Sequence, residues 1–227
     1  MTQFTNADPI SLFLVLLAMS VLPFAAMVVS SYTKIVVVLG LLRNAMGVQQ
    51  TPPNMVLNGI ALILSVYIMA PVLLEASDAM GLGPAATTTA PGATPQTNAQ
   101  LVLQAGDAIR EPFRKFLDKH ADEREKQFFL RSAGAIWPPE TAAQLKKTDL
   151  LVLAPAFLLT ELSAAFRIGF LLYLAFIVVD LVIANVLLAM GLSQVTPTNV
   201  AIPFKLLLFV MLDGWSKLVH GLVLTYR

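Results

Sequence analysis

The 227-residue sequence has no cysteine, only two histidines, and few charges. Asp, Glu, Lys and Arg make up 13% of it, about half the share found in a soluble globular domain. Without cysteine there are no disulfide staples, no thiolate metal ligands and no thiol nucleophile. His120 and His220 stand 100 positions apart, in no metal-ligand spacing. The net charge of +1 excludes a bulk basic field for nucleic acid. GxxxxGK[ST], HExxH and GxSxG are all missing, so nucleotide hydrolysis, zinc peptidase and serine esterase chemistry lack their motifs. No cofactor and no catalytic or metal-binding set is expected.

What the chain has instead is apolar length. Hydrophobic residues make up 57% of it and its mean hydropathy is +0.74, too high for a water-exposed surface. The apolar blocks run over 10–29, 35–42, 55–74, 150–159, 168–192 and 201–226, giving four or five apolar helical segments. The first and third have the roughly 20 residues that cross a bilayer core. The residues before Ile10 carry no Lys or Arg but include Asp8, and no A-x-A site follows, so this block is expected to be retained rather than cleaved as a signal peptide. The 35–42 block is too short to span unless it continues the first past Lys34. Lys34 and Arg43 place their connection on the cytoplasmic side, which leaves the long polar insert outside.

That insert holds 19 of the 29 charged side chains, between Glu75 and Asp149. Residues 81–98, rich in Ala, Thr, Pro and Gly, read as a flexible linker. Beyond it Leu101, Val102, Ala105, Ile109, Phe113, Phe116 and Leu117 recur at helical spacing, with Pro112 expected to separate or kink the turns. The acids Asp122, Glu123 and Glu125 are most simply solvated surface. The organisation expected is a hydrophobic helical hairpin over 1–74, an extracytoplasmic helical insert over 75–149, and hydrophobic helices over 150–227.

The apolar blocks are not ordinary lipid-facing spans. Asp180 lies at the midpoint of 168–192 with Asn185 nearby, and Glu161 and Arg167 stand just before that block. Each such charge costs about 2.5–3.5 kcal/mol at mid-span. On one helix these four groups point around the whole circumference, as they would on a helix surrounded by protein. In the last block Lys205, Asp213, Lys217 and His220 fall within about 120° of one another on a continuous helix. Asp213 and Lys217 have i,i+4 spacing, which fits a local ion pair, a subunit contact or a wet lumen wall. Pro23, Pro71, Pro155 and Pro203 interrupt apolar runs, and broken helices at membrane depth need protein or a water-filled cavity around them. Ala165 and Gly169 form a small-xxx-small pair that permits close helix approach. An intramembrane enzyme built on Asp180 would need a second acid, for which only Glu161 or Asp213 could serve. A solute or ion transporter using Asp180 and Lys205 would predict inverted repeats, and no repeat relates 10–74 to 150–226. A membrane scaffold without a lumen is a third possibility that the sequence leaves open.

Three long stretches carry a family resemblance. VSSYTKIVVVLGLLRNAMGVQQTPPNMVLNGIALILSVYIMAPV (29–72), PAFLLTELSAAFRIGFLLYLAFIVVDLVIANVLLAMG (155–191) and TPTNVAIPFKLLLFVMLDGW (196–215) resemble, in order, the signatures of the SctR/FliP family. This family supplies the R subunit of type III secretion export gates. PFRKFLDKH and REKQFF in the insert are similar to the virulence-type members, especially the plant-associated HrcR branch. The resemblance implies an all-α fold of bent, proline-broken hairpins that assembles into a pentameric ring. S and T subunits complete a conical gate inserted from the bacterial inner membrane and held largely at its periplasmic side. It further implies U and V export-apparatus subunits and inner rod or needle proteins as neighbours, and unfolded secreted proteins as cargo. The driving energy would come from a separate ATPase and the proton motive force.

The resemblance also implies a pore constriction just after the MG element, where many members carry a run of methionines. Here Met190 precedes Leu192, Ser193, Gln194 and Val195. Leu and Val can exclude water and ions, whereas Ser193 and Gln194 are poorer seals and lack the pliability of Met. Either the seal sits elsewhere, on S or T subunits, or Gln194 side chains bridge one another across the ring. Deleting 85–96 is expected to leave complex yield and secretion unchanged, as measured by pull-down and by substrate in the culture medium. A lost complex would show that the linker packs.

Overall fold

The computed structural model describes residues 9–79, 98–192 and 194–227, and every regular element among them is an α-helix. The expected linker at 81–98 lies outside the described residues except for Asn98, which begins a helix. The elements are α1 (Pro9–Val28), α2 (Tyr32–Ala45), α3 (Asn54–Ala79), α4 (Asn98–His120), α5 (Glu123–Ile136), α6 (Pro139–Gln144), α7 (Leu150–Ala189), α8 (Pro197–Met211) and α9 (Gly214–Leu224). They pack into two units, residues 1–30 with 69–158 and residues 31–68 with 159–227. Helices α3 and α7 each contribute to both units, so the unit boundaries fall inside helices.

The prolines do not break the helices. Pro23, Pro71, Pro112, Pro155 and Pro203 all lie inside continuous α1, α3, α4, α7 and α8. A proline removes one rung of the ladder, but around the apolar helices α1, α3, α7 and α8 the surroundings offer the neighbouring peptide groups no other partners, so those helices hold on both sides. The two blocks 150–159 and 168–192 are therefore one helix of 40 residues, about 60 Å long. The α1 and α2 blocks stay separate, because the chain leaves the helix between Val28 and Tyr32. The break in the last block comes at Leu212–Asp213, where α8 and α9 bend by 63°. There Asp213 adopts a left-handed φ of 54°. A Cβ at Gly214 would come within 2.3 Å of the Phe209 ring, so any larger residue at this elbow would have to displace that ring.

In the unit formed by 31–68 and 159–227, the core is a stripe of α2: Ile35, Val38 and Leu39 packed with Leu57, Ala61, Ala165 and Leu222. Further along, Leu42, Ala45 and Met46 meet Phe176 and Phe209. Helix α2 touches α7 closely at Gly169, where a Cβ would collide with Leu41 Cδ1 at 2.2 Å. The small-residue pair thus does admit a neighbouring helix. Ser31 Oγ donates to Ser65 Oγ at 3.1 Å, both buried, which joins α2 to α3 without leaving either hydroxyl unsatisfied.

In the other unit, α4 packs on the start of α7 through Phe116 and Phe157, whose ring centroids are 5.6 Å apart. The α4–α5 corner is held by Lys126. Its ammonium donates to the Asp118 carbonyl and carboxylate, both at 2.6 Å, and to Glu123 at 3.1 Å. Asp122 caps α5 by accepting from the Arg124 N–H at 2.8 Å, and Glu123 and Glu125 in the first turn suit the helix dipole. Lys147 reaches back to the second oxygen of Glu123. The hydrogen bonds from Lys147 and then from Lys126 hold the Glu123 carboxyl below its ordinary 4.5. Burial lowers the Lys126 ammonium, but its bonds to Asp118 and Glu123 outweigh this and leave it raised.

A carboxylate depressed in the folded state contributes stability above its unfolded pKa and loses it as pH falls through the folded value. With Trp215→Phe in place, Trp137 fluorescence should stay constant on acidification through the ordinary glutamate range and shift only below it, as the Glu123 carboxylate takes up its proton. The acid shift should shrink in Glu123→Gln. An identical acid profile in that variant would contradict this account of the corner.

Candidate functional site

Burying a charge without a partner costs several kcal/mol, so the buried charges of the 31–68 and 159–227 unit show where it is held. Glu161 of α7 and Lys34 of α2 are almost fully buried, with side chains 3% and 5% exposed, and pair at 3.0 Å. The Tyr226 hydroxyl, just past α9, donates to the other Glu161 oxygen. Lys34 Nζ also donates to Thr225 Oγ1 at 3.2 Å and stands 3.9 Å from the Tyr226 ring centroid, in the range of a cation–π contact. Both carboxylate oxygens are therefore satisfied, and one site joins α2, α7 and the segment after α9.

Nineteen residues along α7, about 28 Å, a second pair forms. Lys205 of α8 meets Asp180 at 2.6 Å and donates to the Ala45 carbonyl at the end of α2 at 3.2 Å. Lys205 is buried, while Asp180 is half-buried and its Oδ1 is sequestered without a hydrogen bond. The two pairs pin α2, α8 and α9 along one helix.

The other anticipated polar residues are not in these clusters. Arg167 and Asn185 are exposed on α7, 18 residues and five turns apart, hence on one side of it. Between them Phe170, Leu171, Leu174, Val178 and Val182 are also exposed. Asp213 and Lys217 are both exposed and form no ion pair with each other. The single face expected for Lys205, Asp213, Lys217 and His220 does not exist. That expectation assumed one helix, and the left-handed Asp213 turns α9 away, leaving Lys205 buried and the other three outside.

The α7–α8 turn carries Met190, Leu192, Gln194 and Val195, all exposed; Ser193 lies outside the described residues. Gly191 turns the chain with φ +73°. Leu192 N–H bonds back to Leu187 and Val195 N–H to Leu192, at 3.0 and 3.2 Å. Beside the turn is a wholly apolar groove of about 550 Å³, bounded by Val178, Val182, Val186, Met190, Val200 and Phe204.

Lys34, Thr225 and Tyr226 were not anticipated as parts of a site. Lys34 served instead as a marker of membrane orientation. Both charges behind that expectation are committed within the chain, since Lys34 is buried against Glu161 and Arg43 donates to the Pro52 carbonyl at 3.3 Å and Asn54 Oδ1 at 2.5 Å. The available signal was the cost of a lone cation next to an apolar run, which asks for an acid, and Glu161 was the acid without a base.

Residues 15–222 match the family described as the FliP family. The chain is 65% identical over 222 residues to the "Hypersensitivity response secretion protein HrcR" of Ralstonia nicotianae, covering 98% of this chain and 99% of that protein. It is 67% identical over 216 residues to "Pathogenicity-related ORF2" of Xanthomonas campestris pv. glycines, covering 95% and 96%. To the "Yop proteins translocation protein R" of Yersinia pestis it is 46% identical over 219 residues, covering 96% and 97%.

Removing one partner of a buried pair should cost about 3–5 kcal/mol, and an orphaned hydrogen-bonding group about 1–3 kcal/mol. Lys34→Met is therefore expected to lose protease resistance in detergent more severely than Tyr226→Phe, while Asp180→Ala and Lys205→Ala lose complex yield and secretion together. Normal complex yield with blocked secretion in either of the last two would point away from a holding role.

Proposed function

The chain belongs to the FliP family and is a subunit of a type III secretion export apparatus in the inner membrane, and we propose that it lines the channel through which unfolded proteins leave the cytoplasm. Five copies form a ring, S and T subunits complete the gate, and U and V subunits and the inner rod or needle adjoin it. The ring stands largely on the periplasmic side of the membrane. The chain catalyses no reaction of its own and takes its driving energy from elsewhere in the machine.

One observation carries the reading. Helix α7 carries only three charges, Glu161, Arg167 and Asp180, in 40 residues, yet only 6% of its most apolar stretch is buried within the chain. At about 60 Å it is twice as long as a hydrocarbon core is thick, so the whole helix does not fit one straight bilayer crossing. The exposed stripe between Arg167 and Asn185, about 27 Å long, is a surface that further copies and partner subunits can cover. The exposed Met190–Val195 turn then supplies the apolar part of the constriction, with Leu192 and Val195 as the seal and Gln194 as its polar member. The transporter alternative gains no support, because Lys205 is committed to Asp180 and the Ala45 carbonyl rather than free to bind a solute.

Co-expression with the neighbouring genes and native mass measurement in mild detergent should give a multi-copy complex with two other small hydrophobic subunits. A reproducible monomer or dimer free of partners would overturn the ring. Leu192→Gly with Val195→Gly should let small ions leak through the idle machine, as read by membrane potential. An unchanged potential would remove both residues from the seal.

A further inference from the structure

The fold of the 31–68 and 159–227 unit leaves two opposite charges unused. The unit has three acids, Glu161, Asp180 and Asp213. Lys34 and Lys205 neutralise the first two. The Asp213 carboxylate is exposed, and its side chain makes no hydrogen bond or ion pair among the described residues. Arg167 is exposed and equally unpaired among them. It stands on α7 between Phe166 and Phe170, which are 54% and 66% exposed.

Neither charge is explained by the element that carries it. Asp213 occupies the N-cap position of α9, where an aspartate ordinarily accepts from first-turn N–H groups, yet its side chain makes no such bond. Nor does the left-handed turn, φ 54° and ψ 45°, ask for a charge, since Asn adopts it as readily. Lys217 has i,i+4 spacing from Asp213, but the left-handed residue takes the carboxylate out of the α9 register and the two stay apart. Arg167 cannot be reached by a swing of the elbow within one chain. The limb from α8 to the end of α9 is tied to α7 on both sides of Asp213, by Lys205 to Asp180 and by Tyr226 to Glu161.

A guanidinium on an apolar stripe is tolerable while water reaches it. Once another copy covers the stripe the cation is desolvated, at a high cost unless the covering surface brings an acid. We propose that Arg167 of one copy pairs with Asp213 of the next, a contact repeated around the ring. The inference rests on the ring reading above. The two groups lie on different elements and do not meet within a chain, which is the condition for a head-to-tail contact between copies. Each copy then gives its cation to one neighbour and its acid to the other. The planar fork of arginine takes a carboxylate through two parallel bonds, and so fixes a register that Phe166, Phe170 and Leu171 alone would leave loose.

Arg167→Gln and Asp213→Asn remove the charges, and Asn keeps the left-handed elbow. In detergent, each is expected to weaken association of the copies by about thirtyfold or more, and the double variant by no more than either single one. Losses that multiply in the double variant, or a single variant that assembles like the parent, would overturn the pair. Placement is read separately, in a chain with no native cysteine. Arg167→Cys is put on one tagged copy and Asp213→Cys on a copy with a different tag, and the two are co-expressed with the partner subunits. A disulfide does not span the gap left by the shortened arginine, so a short bis-maleimide is added. It should join the two tags, and give no product with either variant alone. An intact multi-copy complex without that product, or with the Arg167→Cys copy joined to a different subunit, would overturn the pairing and leave the ring standing. So would anionic lipid that co-purifies with the parent and is lost in Arg167→Gln, since Arg167 would then serve a phosphate. A parent chain that yields no multi-copy complex would overturn the ring and this inference with it.

Discussion

The unit formed by residues 31–68 and 159–227 depends on the neutralisation of charge along one long apolar helix. Glu161 and Asp180 would each be prohibitive on α7 if left alone. Lys34 and Lys205 come from different helices to meet them, so α7 cannot adopt its place without fixing α2 and α8 as well. Apolar packing cannot do this by itself, because Leu on Val tolerates many registers. A carboxylate that must face an ammonium tolerates one. The close contact of Leu41 on Gly169 follows from that register, as does the seating of Ala45 beneath Lys205.

The arrangement also explains why so apolar a chain keeps a large uncovered surface. Its buried charges are paired inward, Lys34 with Glu161 and Lys205 with Asp180, while most side chains facing outward along α7 and α8 are hydrophobic. That inversion of the soluble pattern is stable only in lipid or in an assembly. The insert follows the opposite rule: most of its charged side chains that are described lie at its surface, and buried Lys126 locks the α4–α5 corner, as in a water-soluble helical domain.

Much of the fold was legible from residue type and spacing. The apolar blocks, the polar insert and the all-helical class follow from hydrophobic runs and from the concentration of charges between Glu75 and Asp149. Glu161, Asp180 and Lys205 stood out because a charge inside an apolar run is costly wherever it lies. The partner of Glu161 was hidden, since its pairing with Lys34 spans more than a hundred residues and no local period reports it. The prolines misled for a different reason. Proline weakens a helix locally, but surroundings that offer the backbone nothing else to bond decide whether the helix ends. Conversely, the true elbow at Asp213 came from a left-handed residue that the assumption of one continuous helix concealed.

Lys34 is completed by Thr225, 191 residues later in the chain, and Glu161 by Tyr226. At ribosomal speed the interval between the first and last of these residues is roughly ten to forty seconds. Throughout it, Lys34 has an incomplete set of partners, and before Glu161 is made it has no counter-charge at all. The nascent protein therefore carries an internal clock. Early helices stay loosely held until the closing residues arrive, and a product cut short before them retains an uncovered polar site that distinguishes it from the finished chain.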